Sequence, residues 1–120
     1  MECEEHGRTA RQFLAASDEE FAAGDHLQAS EKLWGAASHA VMAAAVLRDW
    51  PCRTHRELKN AVERLTEERA DAEFAAGFYA AENFHRNFYH DEMEPYQIEI
   101  DRPRVHRFVD RVLATLAPDD

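Results

Sequence analysis

Between Leu27 and Trp50 the chain reads LQASEKLWGAASHAVMAAAVLRDW, and its apolar positions do not fall on one stripe. Leu27, Leu33, Trp34, Val41, Met42, Val46 and Leu47 are joined by alanines at 36, 37, 40, 43, 44 and 45. A helix that is apolar around most of its circumference is surrounded by other helices. This stretch is therefore expected to be the central, most buried helix of a bundle, ending at Trp50 because Pro51 disfavours the helical conformation in the residue before it. Gly35 and the alanines leave room for a neighbour's backbone to come close.

The other segments carry narrower stripes. A first helix is expected over Arg8 to Ala23, with Phe13, Ser17 and Phe21 four apart and Leu14 beside them. Gly24 then sits where a helix C′ residue belongs, and Asp25 with Gln28 forms an N-cap, so the first two helices should be antiparallel. Thr54 and Glu57 make a capping box that opens a third helix carrying Leu58, Val62 and Leu65. A fourth is expected from Ala70 to Asp91, with Phe74, Phe78, Ala81, His85 and Phe88 as its seam, widened by Phe84 and Tyr79. Gly77 inside it costs about 1 kcal/mol relative to Ala, so close packing against another helix is its expected justification. Met93–Arg102, with the alternating run Tyr96–Ile100, reads as a loop. Pro103 then opens a last helix with Val105, Phe108, Val109, Val112 and Leu116 on one face. The architecture is all-α, four main helices plus a C-terminal one.

Composition narrows the function classes. At 120 residues the chain suits a single domain, with residues 1–7 and 118–120 as solvated tails. A formal charge of −10 argues against a broad nucleic-acid-coating surface, since such affinity rests on Lys and Arg neutralising phosphates, although a local basic site survives that balance. The start MECEEHGRT is the reverse of a signal peptide. The longest apolar run, Leu33–Leu47, is shorter than the roughly 18 to 20 residues of a membrane span. A cytoplasmic protein that does not enter a membrane is expected. A tetratricopeptide unit would fit the first two helices, but without a second repeat it would not stand alone.

Three constellations bear chemistry. Cys3-Glu4-Glu5-His6 and Cys52-Arg53-Thr54-His55 are matched Cys-x-x-His pairs, together the four ligands of a tetrahedral zinc site. Against this stand a tail at Cys3 and His6, a half-buried Cys52, and His55 as simply the first residue of a helix. Glu82-Asn83-Phe84-His85 has the E-x-x-H spacing of di-iron bundles, yet the second copy that such sites need is absent. The plain alternative puts Glu82 in water and His85 in the phenylalanine seam, so no cofactor is expected. Arg86 and His90 are four apart and project from one helix face. A guanidinium that holds a phosphate beside an imidazole that moves a proton is the minimal equipment of a metal-free ribonuclease. An exposed i,i+4 pair of cations near a helix C-terminus is the plain alternative.

The stretches GDHLQASEKLWGAASHAVMAAA, THREL and FAAGFYAAENFHRNFYHDEMEP resemble the PaREP family of small prokaryotic helical proteins, which is similar in layout to the HEPN superfamily. The resemblance covers roughly Phe21 to Pro95. It implies a HEPN-like up-and-down four-helix bundle that forms a homodimer, with RNA, a nucleotide or an antitoxin-like protein as partner in a toxin–antitoxin or stress setting. Arg86 and His90 would then be the catalytic pair and His85, Asn87 and Tyr89 their binding neighbours. In HEPN ribonucleases four to six residues separate the Arg from the His, whereas here three do. A structural interaction module without an active site and a small metal-binding bundle are the alternatives from other classes.

Overall fold

The computed structural model describes residues 1–117, all helix and connection: α1 (Cys3–Ala22), α2 (His26–Leu47), α3 (His55–Arg69), α4 (Glu73–His90) and α5 (Pro95–Ala114). No strand occurs among the described residues. The expected tail at 118–120 lies outside them. No helix among them is long and apolar enough to cross a membrane.

As its sequence requires, α2 is the hub, and it packs against all four other helices. Its buried residues include Leu33, Trp34, Val41, Ser30, Ser38 and seven alanines between 29 and 45. Small side chains bring the neighbours close. Phe13 of α1 lies over Gly35, and a Cβ there would sit 3.3 Å from the ring, so what approaches is an aromatic face rather than a backbone. The pairs His6–His39, Phe13–Gly35 and Ser17–Ala29 run in opposite directions along the two helices, which are antiparallel.

Local chemistry sets the ends. Gly24, at φ 84°, closes α1, with the Asp25 amide bonded to the Glu20 carbonyl, and the Asp25 carboxylate caps α2 by accepting from the Gln28 amide. The Thr54/Glu57 capping box opens α3 as expected. α2 stops at Leu47, three residues short of Trp50. Asp49 turns left-handed (φ 57°), and the amides of Asp49 and Trp50 bond back to Val46 and Ala45, so the reversal is complete before Pro51 can act.

Two boundaries differ from the pattern-based expectation. α1 begins at Cys3, so the segment read as a tail is helix for most of its length; His6 is only 8% exposed and packs against α2. The stretch 93–102 is not a loop, since α5 starts at Pro95. Glu94 and Gln97 form a reciprocal capping box there, and Pro95 takes the first helical position, where a missing N–H is not felt. Pro103 is instead inside α5, on its exposed side, where water can serve the carbonyl left without a donor.

α5 covers α2 and α4 with Val105, Phe108, Val109, Val112 and Leu113. It is tied to α1 at Asp18, whose Oδ1 accepts from both Arg102 and His106 at 3.0 Å, while the Arg102 guanidinium lies over the Phe21 ring. Gly77 is where α4 and α5 touch. A Cβ on it would lie 2.6 Å from the Phe108 Cβ and 2.7 Å from its ring. Gly77→Ala therefore gains about 1 kcal/mol of helix propensity but forces a buried phenylalanine to move, at about 1–3 kcal/mol. Urea denaturation should show a net loss of up to about 2 kcal/mol, whereas Gly7→Ala, with its nearest atoms 3.9 Å away, should be neutral or better. Val41→Asp places an unpaired carboxylate at a fully buried position of the hub. The same measurement should show a loss above about 4 kcal/mol; a midpoint close to the parent's would mean that α2 is not the core.

Candidate functional site

α4 presents different chemistry on its two sides. Its core side is Phe74, Gly77, Phe78, Ala81, Phe84 and Asn87. The seam thus passes through Phe84 and Asn87 rather than through His85, which turns aside to contacts described below. The solvent side carries Tyr79, Asn83, Arg86 and His90 at spacings of four, three and four, with Tyr89 beside them. Arg86 and His90 are both exposed. The Arg86 guanidinium bonds to the Asn83 amide oxygen and makes no ion pair among the described residues. Tyr79 and Tyr89 are 62% and 67% exposed.

Asn87 does something other than meet a ligand. It is fully buried and completes a small polar joint. Its Nδ2 donates to Ser30 Oγ (3.1 Å), Ser30 donates to the His26 carbonyl (2.6 Å), and its Oδ1 accepts from the Met93 amide (2.7 Å). The Asp91 amide bonds to the Asn87 carbonyl, with Asp91 in a left-handed conformation, and the Asp91 carboxylate meets His26 (3.1 Å). Asn87 therefore fixes the start of α2 to the end of α4 and aims the chain toward α5.

A group of titratable side chains surrounds Trp34. The imidazoles of His55 and His85 both stack on its indole, at centroid distances of 5.4 and 4.7 Å. His55 donates through Nε2 to Glu82 (2.7 Å) and His85 through Nδ1 to Glu31 (3.3 Å). Lys59 approaches Glu82 at 3.9 Å, and Tyr89 sets its edge against His85. Each imidazole thus has one nitrogen oriented by a carboxylate and the other unengaged by that bond, the arrangement in which histidine gives and takes protons. Beside it, a groove of about 500 Å³ runs along α3, lined by His55, Arg56, Lys59, Asn60 and Glu63. Glu82 is not in water: its side chain is 13% exposed, held between His55 and Lys59.

The structure sends the two Cys-x-x-His pairs in different directions. His6 bonds to His39 and His55 to Glu82, while Cys3 and Cys52 both pack against the core as free thiols. Burial pushes the Cys3 thiol above its ordinary pKa, with Glu4 adding to the effect, so it is a poor source of thiolate. Among the described residues no group of three or more His, Cys, Asp or Glu is placed to hold a metal ion.

His55, His85 and Tyr89 are thus brought together, though the sequence singled them out for unrelated reasons, and Arg86 and His90 lie on the adjoining stripe. Trp34, Glu31 and Lys59 were missed as members. The only signal for them was the i,i+4 spacing of His55 and Lys59 in the first turn of α3; Glu31 is 54 residues from its partner, beyond any local pattern.

No curated protein and no solved structure matches the chain. The profile of the archaeal PaREP1/PaREP8 family matches residues 5–109, from the first turn of α1 into the last turns of α5. That span takes in the stripe, the Asn87 joint and the Trp34 cluster, and the chain belongs to the archaeal PaREP1/PaREP8 family.

Proposed function

We propose that α1–α4 form a HEPN-like up-and-down bundle, buttressed by α5, that pairs with a second copy across the solvent side of α4 and offers single-stranded RNA a composite arginine-bearing face. The observation that supports this reading is the stripe itself: two tyrosines more than three-fifths exposed, flanking an arginine with no ion pair among the described residues. Tyr and Arg are the residues enriched at protein interfaces, and Tyr79 and Tyr89 leave most of their surface in water, although Tyr89 also meets His85 and Phe88. Pairing about a two-fold axis would place two Arg86 and two His90 side by side. That concentrates cation where the single chain, at −10 overall, would repel a polyanion.

Binding without efficient cleavage is the form of the reading that the geometry favours. Three residues separate Arg86 from His90; one residue more would turn the imidazole about 100° around the helix. Asn87, between them, is committed to the core. In this reading the chain works in the cytoplasm, with an antitoxin-like protein as a further partner in a toxin–antitoxin or stress setting.

Sedimentation equilibrium at micromolar concentration should give twice 13.8 kDa, and Tyr79→Glu/Tyr89→Glu should return the chain to one copy without changing its helicity. A clean single-chain mass for the parent removes the dimer. Labelled single-stranded RNA should bind the parent at low salt, and Arg86→Ala should weaken it at least about tenfold. The plot of log affinity against log salt should become shallower by about 0.7 for each arginine lost. RNA that fails to bind a confirmed dimer would leave an interaction module whose partner is protein. Cleavage equal in parent, Arg86→Ala and His90→Ala would mark a contaminant.

A further inference from the structure

Histidine carries much of the cross-linking between helices in this fold. Of the seven histidines, four hold carboxylates on other elements: His26 with Asp91 (3.1 Å), His55 with Glu82 (2.7 Å), His85 with Glu31 (3.3 Å) and His106 with Asp18 (3.0 Å). His6 and His39 hold each other instead, Nδ1 to Nδ1 at 2.9 Å, with Phe13 stacked on His39. The first four contacts strengthen when the imidazole gains a proton, because a hydrogen bond becomes a charge-assisted one. The fifth can respond that way only once, through the far nitrogen of the donating ring. One ring must donate and the other accept, and a second proton, on the accepting nitrogen, sets two N–H groups face to face.

We infer that this division makes the bundle acid-responsive in one place: as pH falls through the histidine range, the N-terminal half of α1 detaches from α2 while the rest of the assembly holds. The pair sits among groups that give a cation little help. α2 flanks His39 with Gly35, Ala36, Met42 and Ala43, one turn to either side, and α5 sets Leu113 and Leu116 against the adjacent Gly7. Glu5 favours a charged His6, but the amino terminus opposes it, as does His39 once protonated, and Arg48 acts on Cys3 one turn away. Burial accordingly holds both imidazoles below their ordinary pKa. The opening has a boundary: Asp18, gripped by Arg102 and His106, and Ser17, bonded to the Ala29 carbonyl, keep the C-terminal half of α1 in place. What opens is the stretch from Cys3 to about Phe13.

The sign follows from linkage. The lowered pKa values mean that the closed pair takes up protons later than the opened one. The pair's contribution is complete above about pH 6.5 and is lost as pH falls from there through the closed-state values. An opened imidazole with ordinary pKa is about ten-elevenths protonated at pH 5.5, so the opening constant rises by up to about tenfold between pH 7.5 and 5.5 for each proton that the closed pair refuses, about tenfold for the second proton alone and up to about a hundredfold for both.

Amide hydrogen exchange of the intact chain, corrected for the intrinsic effect of pH, reads this directly. Between pH 7.5 and 5.5 the opening constant over residues 6–13 should rise about ten- to a hundredfold, with amides around Phe84 and Val109 changing less than about threefold. His6→Gln/His39→Gln, whose amides can hydrogen-bond without titrating, should abolish the difference. A rise shared by all five helices, or an α1 opening that ignores pH, overturns the inference. If the double variant does not fold, the parent's own imidazole proton titrations decide: at least one of His6 and His39 titrating well below the ordinary imidazole range supports it, and both titrating within that range overturns it.

Discussion

Helices can come close only where side chains are short, and α2 is built mostly from such side chains. Its alanines and Gly35 form a surface that other helices approach until larger groups from those neighbours, Phe13 and Phe78 among them, fill the remaining space. The same constraint recurs once away from α2, at Gly77 and Phe108. Such a core carries little apolar volume per residue, so its specificity is supplied by polar contacts placed where helices begin, end or cross. Ser17 on the Ala29 carbonyl sets the register of α1 on α2; Asn87 and Ser30 set that of α4; Asp18 sets that of α5. No buried side-chain nitrogen or oxygen among the described residues lacks a partner, which is the condition under which a polar core specifies rather than weakens a fold.

The fold and its chemistry use the same side chains. Trp34 is a core residue whose ring faces are dressed by imidazoles, and those imidazoles are oriented by carboxylates that also tie helices together. A group recruited to hold α3 against α4 is thereby presented to a groove with one nitrogen unspent. On α4 the division is sharper. Residues one apart, Arg86 and Asn87, belong to different surfaces, and the family-like run Asn87-Phe88-Tyr89 is split between an internal joint, a half-buried ring and an exposed one.

Much of this was legible from residues alone where the determinant is local. The centrality of α2 follows from its apolar circumference, and the Gly24/Asp25 turn, the Thr54/Glu57 box and the close contact at Gly77 follow from intrinsic backbone preferences. Errors arose where two local signals competed. Pro103 reads as a helix start, yet Pro95 behind Glu94 is the one used, because a reciprocal cap with Gln97 outweighs a proline that faces water. The acidic Cys3–His6 segment reads as a tail because nothing nearby shows that His6 has a buried partner 33 residues on. The site was legible only in part for the same reason. Periodicity places Arg86 and His90 together on a face, but it cannot show that Glu31 and Trp34 meet His85, nor that Asn87 is spent inside.

The chain reversals differ in what holds them. Gly24 adopts its left-handed conformation without strain, so the α1–α2 hairpin has a turn that forms from its own residues. Asp49, Ala70 and Asp91 hold the same conformation with a Cβ in the way. Those corners rest on local amide bonds back into the preceding helix, and the last also on the Asn87 joint. The first hairpin is therefore the most locally encoded pairing in the fold, its contacts short in sequence separation. The helix pair whose turn is encoded in its own residues is also the one that His6 and His39 leave easiest to reopen.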